Sequence, residues 1–430
     1  MTLTRPARVV SFALLSALIA VSPSAAAAQQ RSFESTIGDL KSPDPKTRLA
    51  AVRMLHESGY PEAIAPIAPL LEDRDERVAK EAMYAELGLL LGTSIGTERR
   101  VALVVQKTRS PNAALRAFDA GWGMLPVEHV PPEVVRGVAR LLSRSERALK
   151  IEATYALAAL AQIDGPPGPE HPSVSAALAA RLGDPEPAVR VAAARAAGRV
   201  FRRCTVPCAG ADIERVGDAL VHSLNDPDTG VVMAVLEGLG EMRYERALKP
   251  LTDFHAFYKQ GPLALASLDA IGRIGHASSI PLFKASLLRR EPAALRAAVE
   301  GLARAGDKDA VASAAASLAR QRRPEVTLGV AFARVKTGES AALDTLIQAA
   351  GGRDTSLQVQ DYLVELGPAV SKPVAAVLPA ASSVARQRLI EVLGVIGEDD
   401  QLPALQAAEK DESAAVAAAA GRAARRLKAR

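Results

Sequence analysis

One short segment recurs along the whole chain and constrains the fold more than any other feature of the sequence. Its clearest copy, residues 181–200, reads RLGDPEPAVRVAAARAAGRV. It has an acidic turn residue, a proline-containing helix start, an apolar and a basic residue, and an alanine-rich helix. Proline is tolerated at a helix start because its missing N–H would be unpaired there, and aspartate caps free amides. The same order of residue types returns about every 33 residues, which is typical of helical repeat arrays.

A shorter apolar helix precedes most copies of this segment, so the repeating unit has two helices. The apolar residues are mainly Ala, Leu and Val, whereas aromatic residues make up only 3% of the chain. Two helices of this kind cannot bury their own apolar faces, but stacked copies share a continuous core. We therefore predict an all-α fold, an α-solenoid (superhelix) of about twelve two-helix repeats over residues 29–430.

The segment DPEPAVR followed by AAARAAGRV resembles the second helix of a HEAT repeat, in particular the short type called phycobilisome-lyase-like. In that family a basic side chain and an acidic turn residue form a ladder between neighbouring repeats. The basic position of the family is matched here by Arg48, Arg116, Lys150, Arg190 and Arg296. The acidic position is matched by Asp73, Asp184, Asp226, Asp354 and Asp411. Other repeats depart from the pattern at the basic position, with Ala79, Val232, Ala266 and Ala417.

The N-terminus has the order of a secretory signal peptide. Arg5 and Arg8 precede an apolar run from Val9 to Val21, and Ala26-x-Ala28 is a suitable cleavage site. We expect residues 1–28 to be removed and the protein to be exported, periplasmic or secreted, with an uncleaved anchor as the alternative. We expect no membrane span in the mature chain, and a monomer.

Two connections are longer than the repeat requires, at residues 163–172 and 201–212. The second contains Cys204 and Cys208, the two cysteines of the chain. In an exported protein such a pair favours a structural disulfide, with free thiols and a redox or metal role as the alternatives.

No motif of the sequence favours catalysis. The segment GTSIG matches the G-x-S-x-G pattern of a nucleophilic serine at Ser94, but no sheet is predicted to support it. We interpret Gly92 and Gly96 as the end of one helix and Thr97 as the cap of the next. The six histidines are scattered and lack the spacing of metal ligands. We therefore expect no enzyme, no catalytic residue, no metal and no cofactor.

Two groups of residues are candidates for binding a partner. Arg190, Arg195 and Arg199 lie on the cleanest repeat, where the solenoid should present a concave surface, and the repeat pattern does not require the last two. Phe254, Phe257 and Tyr258 lie on one helical face, which is typical of either a binding hot spot or a core contact.

Taken together, these features predict an exported, non-catalytic scaffold that binds another protein along the solenoid surface. The formal net charge of +5 comes from well-mixed acidic and basic residues, so we do not expect a nucleic-acid partner. Two alternatives remain: a lyase-like or other enzyme-associated HEAT protein, and a rigid spacer in an envelope complex.

Overall fold

The computed structural model describes residues 33–91, 96–101, 104–109, 113–119, 130–161, 171–202 and 210–428. The predicted signal peptide, Cys204 and Cys208 lie outside these residues. The first part of the chain forms α1 (Phe33–Asp39), α2 (Pro45–Ser58), α3 (Ile64–Ile67), α4 (Glu76–Leu91), β1 (Gly96–Val101), β2 (Val104–Arg109), α5 (Ala113–Asp119), α6 (Pro132–Leu141), α7 (Arg147–Leu160), α8 (His171–Leu182), α9 (Pro187–Phe201), α10 (Gly210–His222) and α11 (Thr229–Met242).

The remainder forms α12 (Leu248–Tyr258), α13 (Gly261–Ile274), α14 (Ile280–Ser286), α15 (Pro292–Arg304), α16 (Lys308–Leu318), α17 (Pro324–Lys336), α18 (Leu343–Ala349), α19 (Ser356–Leu366), α20 (Ser371–Val377), α21 (Ser383–Ile396), α22 (Leu402–Ala408) and α23 (Ala414–Lys428). Short 3₁₀ turns precede or follow many of the first helices. These elements pair in chain order into twelve repeats, from α1–α2 (repeat 1) to α22–α23 (repeat 12). The predicted α-solenoid is confirmed.

Repeat 3 is irregular, because a β-hairpin stands where its first helix is expected. Gly96 pairs with Arg109 and Val101 with Val104 in antiparallel register. The interpretation of Thr97 as a helix cap was therefore wrong. The segment is rich in β-branched Val and Thr, which favour strands.

The outer row of helices continues past this irregularity. Arg144, which follows α6 of repeat 4, donates a 2.6 Å hydrogen bond to the carbonyl oxygen of Asp73 in repeat 2. Gly137 of α6 lies so close to Leu71 that a β-carbon there would come within 2.6 Å of its side chain. The first helix of repeat 4 therefore packs directly against repeat 2.

A ladder of ion pairs joins several neighbouring repeats at the turn between first and second helix. Arg190 Nε and Nη2 donate to the Oδ2 and Oδ1 atoms of Asp226, at 2.6 and 2.9 Å. Arg48 binds Asp73 in the same bidentate way, at 2.6 and 2.8 Å. Lys150–Asp184 and Arg386–Asp411 are further rungs.

The ladder is interrupted, as the departures from the repeat pattern indicate. Arg296, at the basic position of repeat 8, instead pairs with Asp269 and Glu300. In repeat 11 the rung is formed by Arg386, whereas Arg388 pairs with Glu391. The side chain of Arg116 lies outside the described residues. Between repeats 6 and 10, the described ion pairs that join neighbouring repeats thus lie elsewhere on the solenoid.

Small residues let successive second helices approach closely. A β-carbon on Gly238 of α11 would lie 2.6 Å from the carbonyl oxygen of Ala194 on α9, and one on Gly198 would lie 2.9 Å from the Cα of Gly238. The backbones of α9 and α11 are therefore in direct contact at these glycines. The buried apolar residues form two large clusters, which meet at α17.

The two long connections end earlier than predicted, because the next helix begins inside each predicted loop: α8 at His171 and α10 at Gly210.

Within the described residues, one helical run, Ser356–Ala380, is long and apolar enough to cross a membrane. It is divided at Gly367, whose φ of 72° lies in the left-handed region. It also contains Asp361 and Glu365, both of which form ion pairs. We therefore interpret this run as parts of repeats 10 and 11.

Candidate binding surface

The face of α9 that points away from the outer row of helices carries a line of arginines. Arg195, Arg199 and Arg202 are spaced at i, i+4 and i+7, so they lie on one face of the helix. The guanidinium groups of Arg195 and Arg199 both stack on the ring of Phe118 from repeat 3, at 5.2 and 5.0 Å from its centroid. Such cation–π contacts hold the two guanidinium groups in fixed positions.

The end of this arginine line contacts a helix from a distant repeat. Arg202 Nη2 lies 2.8 Å from Asp361 Oδ1 on α19. Arg243, at the end of α11, lies 2.8 Å from Glu365 Oε2, and Arg304 of α15 lies 3.0 Å from the same atom. We call Arg202–Asp361, Arg243–Glu365 and Arg304–Glu365 the closing pairs. Second helices of repeats 5, 6, 8 and 10 meet in these pairs, so the second helices line the inside of the superhelix.

Further ion pairs join the successive second helices α9, α11, α13 and α15 to one another. Glu241 of α11 accepts from Arg202 at 2.7 Å and also pairs with Arg273 of α13. Asp269 of α13 pairs with Arg273 at 2.9 Å and with Arg296 of α15 at 2.6 Å. Ion pairs on the inner surface therefore join these neighbouring repeats in place of the rungs that the turn ladder lacks.

Glu300 extends this network into the core. It is almost fully buried and receives hydrogen bonds from Arg296 and Arg304, both at 3.0 Å, and from the hydroxyl of Tyr362. The ring of Tyr362 stacks on Phe332 with centroids 4.5 Å apart. α19 is thus fixed to the inner surface by apolar contacts as well as by charge.

The network holds its carboxylates in the ionised form. Burial alone would raise the pKa of Glu365, but the charges of Arg304 and Arg243 and the hydrogen bonds of Arg304 lower it to about 2. The pKa of Asp361 is also lowered against the effect of burial, mainly by Arg202 and Arg273. Partial desolvation lowers the pKa of the Arg199 and Arg243 guanidinium groups, although 46% of the Arg243 side chain remains exposed.

Arg243, which forms one of the closing pairs, has an unusual backbone conformation. It caps the C-terminus of α11 with φ 52° and ψ 43°, a left-handed conformation that glycine adopts most easily. In this conformation its side chain reaches Glu365. Strained residues of this kind persist where the surrounding structure requires them.

The predicted arginines differ in their surroundings. Arg190 is held in the ladder by Asp226 and by the carbonyl oxygens of Asp184 and Pro185. Arg195 keeps 31% of its side chain exposed and lies 3.7 Å from Glu237. The proposed role of Arg190, Arg195 and Arg199 in binding stays a prediction.

The predicted aromatic residues lie on α12, a first helix, so the structure does not bring them to the arginine line. Phe254 is half-buried against the core, whereas Tyr258 is 40% and Phe257 77% exposed. The three rings form a small cluster, with Tyr258 4.6 Å from Phe254 and 5.1 Å from Phe257. Phe254 therefore makes the core contact that was one of the two interpretations, and the binding role of the cluster stays a prediction.

Sequence reasoning missed Arg202, Phe118 and the acidic residues of α19. The spacing of Arg202 from Arg195 and Arg199 is a signal that could have found it. Asp361 and Glu365 carry no such signal, because their position opposite α9 and α11 depends on the winding of the whole array.

An enzyme-associated role would require a pocket with converging polar groups. The described residues include an open cavity of about 410 Å³ lined by six residues of α2, among them Lys46, Arg53 and Glu57. These side chains come from a single helix, and Arg53 is paired with Glu81. Within the described residues, no cluster of three His, Cys, Asp or Glu side chains could hold a metal.

Residues 39–124 and 175–256 match the family model of HEAT repeats. No curated protein matches the chain. Among solved structures, yeast importin-beta is similar with a TM-score of 0.51 and 13% identity, over 92% of this chain and 57% of importin-beta. At this identity the likeness shows the fold alone.

Two artificial proteins are also similar. An engineered protein has a TM-score of 0.35 and 17% identity, over 92% of this chain and 98% of its own. A designed armadillo repeat protein in complex with the peptide (KR)4 has a TM-score of 0.34 and 16% identity, over 64% and 100%.

Proposed function

We propose that this chain is an exported, non-catalytic scaffold that binds an acidic segment of another protein on the inner surface of its solenoid. Export rests on the signal peptide predicted from residues 1–28. The likeness to phycobilisome-lyase-like repeats adds no catalytic group to this proposal.

The observation that carries the proposal is the binding of acidic α19 by the arginines of the inner surface. Asp361 pairs with Arg202, and Glu365 pairs with Arg243 and Arg304. Carboxylates on a helix are therefore a ligand that this surface already binds within its own chain. Arginine suits such a ligand because its planar guanidinium can bind a carboxylate through two hydrogen bonds.

The partner would lie beside α19, along the part of the arginine line that precedes Arg202. Arg195 and Arg199 continue the line from Arg202 towards the start of α9. Their stacking on Phe118 fixes both guanidinium groups before a partner arrives, which lowers the entropy cost of binding.

Affinity purification from the envelope fraction, followed by mass spectrometry, tests the proposal. We expect a partner with an acidic segment to be captured by the wild type and lost with Arg195→Glu/Arg199→Glu. A control that is matched in charge change, Arg136→Glu/Lys372→Glu on the outer helices α6 and α20, should keep it. Capture of the same proteins by all three forms would contradict the proposal, and capture of none would favour a rigid spacer.

A further inference from the structure

A second surface, on the turns between first and second helices, has a composition that the ladder does not explain. These turns are acidic in the repeats that form the ladder, where Asp73, Asp184 and Asp226 bind basic side chains. In repeats 7, 8 and 9 the turns are basic instead. We call these basic residues the basic turn edge: Lys259, Arg289, Arg290, Arg320, Arg322 and Arg323.

Most of these basic side chains lack an acidic partner. Among the residues that the structure describes, Lys259, Arg290, Arg320 and Arg323 are exposed and form no ion pair. Arg322 donates only to backbone carbonyl oxygens, those of Ala319 and Gln321 at 3.3 Å. The acidic residues on or next to these turns are Glu291 and, in the first turn of α17, Glu325. The basic turn edge therefore carries a local excess of positive charge.

The three turns are neighbours in space. Arg289 donates a hydrogen bond to the carbonyl oxygen of Lys259, which joins the turns of repeats 7 and 8. Leu318, at the end of α16, packs in one cluster with Leu295 and Leu287, which joins repeats 8 and 9. Neighbouring helices pack about 8–10 Å apart, so the basic turn edge extends over about 20 Å.

Large apolar side chains are exposed on the same turns. Leu288 is 87% and Phe257 77% exposed, and Tyr258 lies beside Phe257. Single exposed apolar residues are normal, but a group of them on one edge indicates an interaction site.

The backbone holds this group in a strained conformation. Lys259 has φ 56° and ψ −43°, and the amide of Gln260 donates to the carbonyl oxygen of Tyr258 at 2.5 Å. This is a γ-turn of the rare, strained type. The helices that follow, α13, α15 and α17, begin without a side-chain cap, so their positive ends are open to an anion.

From this combination we propose that the basic turn edge docks the protein on an anionic phospholipid membrane. Phe257 and Leu288 would enter the interface between headgroups and acyl chains, and the basic side chains would bind the lipid phosphates. Exposed apolar residues flanked by lysine and arginine are typical of proteins that bind at such an interface. The ends of stacked helices form an edge, which suits a flat surface better than it suits a peptide that needs a groove.

Sedimentation of the full-length chain with vesicles tests this proposal. We expect binding to an equimolar mixture of phosphatidylglycerol and phosphatidylcholine, weakening with added salt, and no binding to phosphatidylcholine alone. Arg320→Glu/Arg322→Glu should lower the vesicle affinity about tenfold or more, because each basic side chain near the surface contributes to binding. Phe257→Ser/Leu288→Ser should lower it comparably.

The controls are matched in chemistry. Arg136→Glu/Lys372→Glu changes the charge equally on the outer helices, and Met54→Ser/Tyr60→Ser removes two exposed apolar side chains from repeat 1. Both should bind vesicles like the wild type, and thermal unfolding should show that every variant folds. Unchanged binding by Phe257→Ser/Leu288→Ser, or no binding to the anionic vesicles, would overturn the proposal. So would binding of a fluorescent oligoglutamate peptide through the same residues without vesicle binding, which would assign the edge to an acidic protein.

Discussion

Arg202 of α9 and Asp361 of α19 are joined by a 2.8 Å ion pair although they belong to repeats 5 and 10. Neighbouring repeats of any solenoid contact each other, whereas this pair joins two repeats that are five positions apart and crosses the inside of the superhelix. Together with Arg243–Glu365 and Arg304–Glu365 it joins α19 to three earlier second helices, and we expect these pairs to hold the winding of the array.

Removal of two of the closing arginines should open the winding. For Arg202→Met/Arg243→Met we predict a larger radius of gyration in small-angle X-ray scattering. Because these pairs are partly exposed, the free energy of unfolding should fall by only about 1–2 kcal/mol. The matched control Arg147→Met/Arg246→Met, in exposed pairs between adjacent repeats, should leave the radius unchanged. An equal radius in all three forms would mean that apolar contacts alone set the winding.

Glu365 should make the stability depend on pH in the acidic range. Its pKa is about 2 in the folded protein, against an ordinary value of 4.5. A lowered pKa contributes stability that is fully present above about pH 4.5 and is lost as the pH falls towards 2. Glu365→Gln should therefore lower the free energy of unfolding by about 3 kcal/mol at pH 7 and by much less at pH 3. Urea denaturation at both values measures this, and an equal loss at pH 3 and pH 7 would contradict it.

Glu86 should have the opposite dependence. It is fully buried on α4, and within the described part of the chain neither of its carboxylate oxygens has a hydrogen-bond partner. Burial, together with the charge of Glu133, raises its pKa well above 4.5. A raised carboxyl pKa costs stability as the pH rises above 4.5, until the folded-state pKa is passed.

We predict that Glu86→Gln makes the protein more stable than the wild type at pH 8, because the amide cannot be forced to ionise in its buried site. At pH 4 the two forms should differ little, because the carboxyl is then neutral in both the folded and unfolded states. Thermal or urea unfolding across this range measures the difference. A variant that is less stable than the wild type at pH 8 would show that Glu86 has a favourable partner.

The Arg190–Asp226 rung should contribute more than an ordinary surface pair. Its two side chains are 12% and 8% exposed, and its bonds are bidentate. A double-mutant cycle with Arg190→Ala and Asp226→Ala should give a coupling of about 1–3 kcal/mol, since charged hydrogen bonds are strong when shielded from water. The exposed pair Lys249–Asp253 should couple by no more than about 0.5 kcal/mol. Similar couplings in the two cycles would contradict a structural role for the ladder.

The sequence predicts those parts of the structure that depend on the order of residues within a single repeat. Asp184, Pro187 and Arg190 belong to the repeated segment, and the turn, helix start and ladder follow from it. The hairpin of repeat 3 was missed because its β-branched strands lie in an array in which all the other repeats start with a helix.

The closing pairs could not be predicted in the same way. Asp361 and Glu365 look like ordinary solvent-facing residues of α19, and the contact with Arg202 and Arg243 depends on small rotations added over five repeats. The burial of Glu86 could not be predicted either, because the residues next to it in the sequence do not show that both sides of α4 are covered.

The most direct test of the inner surface as a site for carboxylates is a binding titration of the full-length chain. Fluorescence anisotropy of a labelled, glutamate-rich helical peptide should show saturable binding that weakens with salt. Arg195→Glu/Arg199→Glu should abolish this binding, while Arg136→Glu/Lys372→Glu should retain it. Equal affinities for the wild type and Arg195→Glu/Arg199→Glu would contradict the assignment of the arginine line as the binding surface.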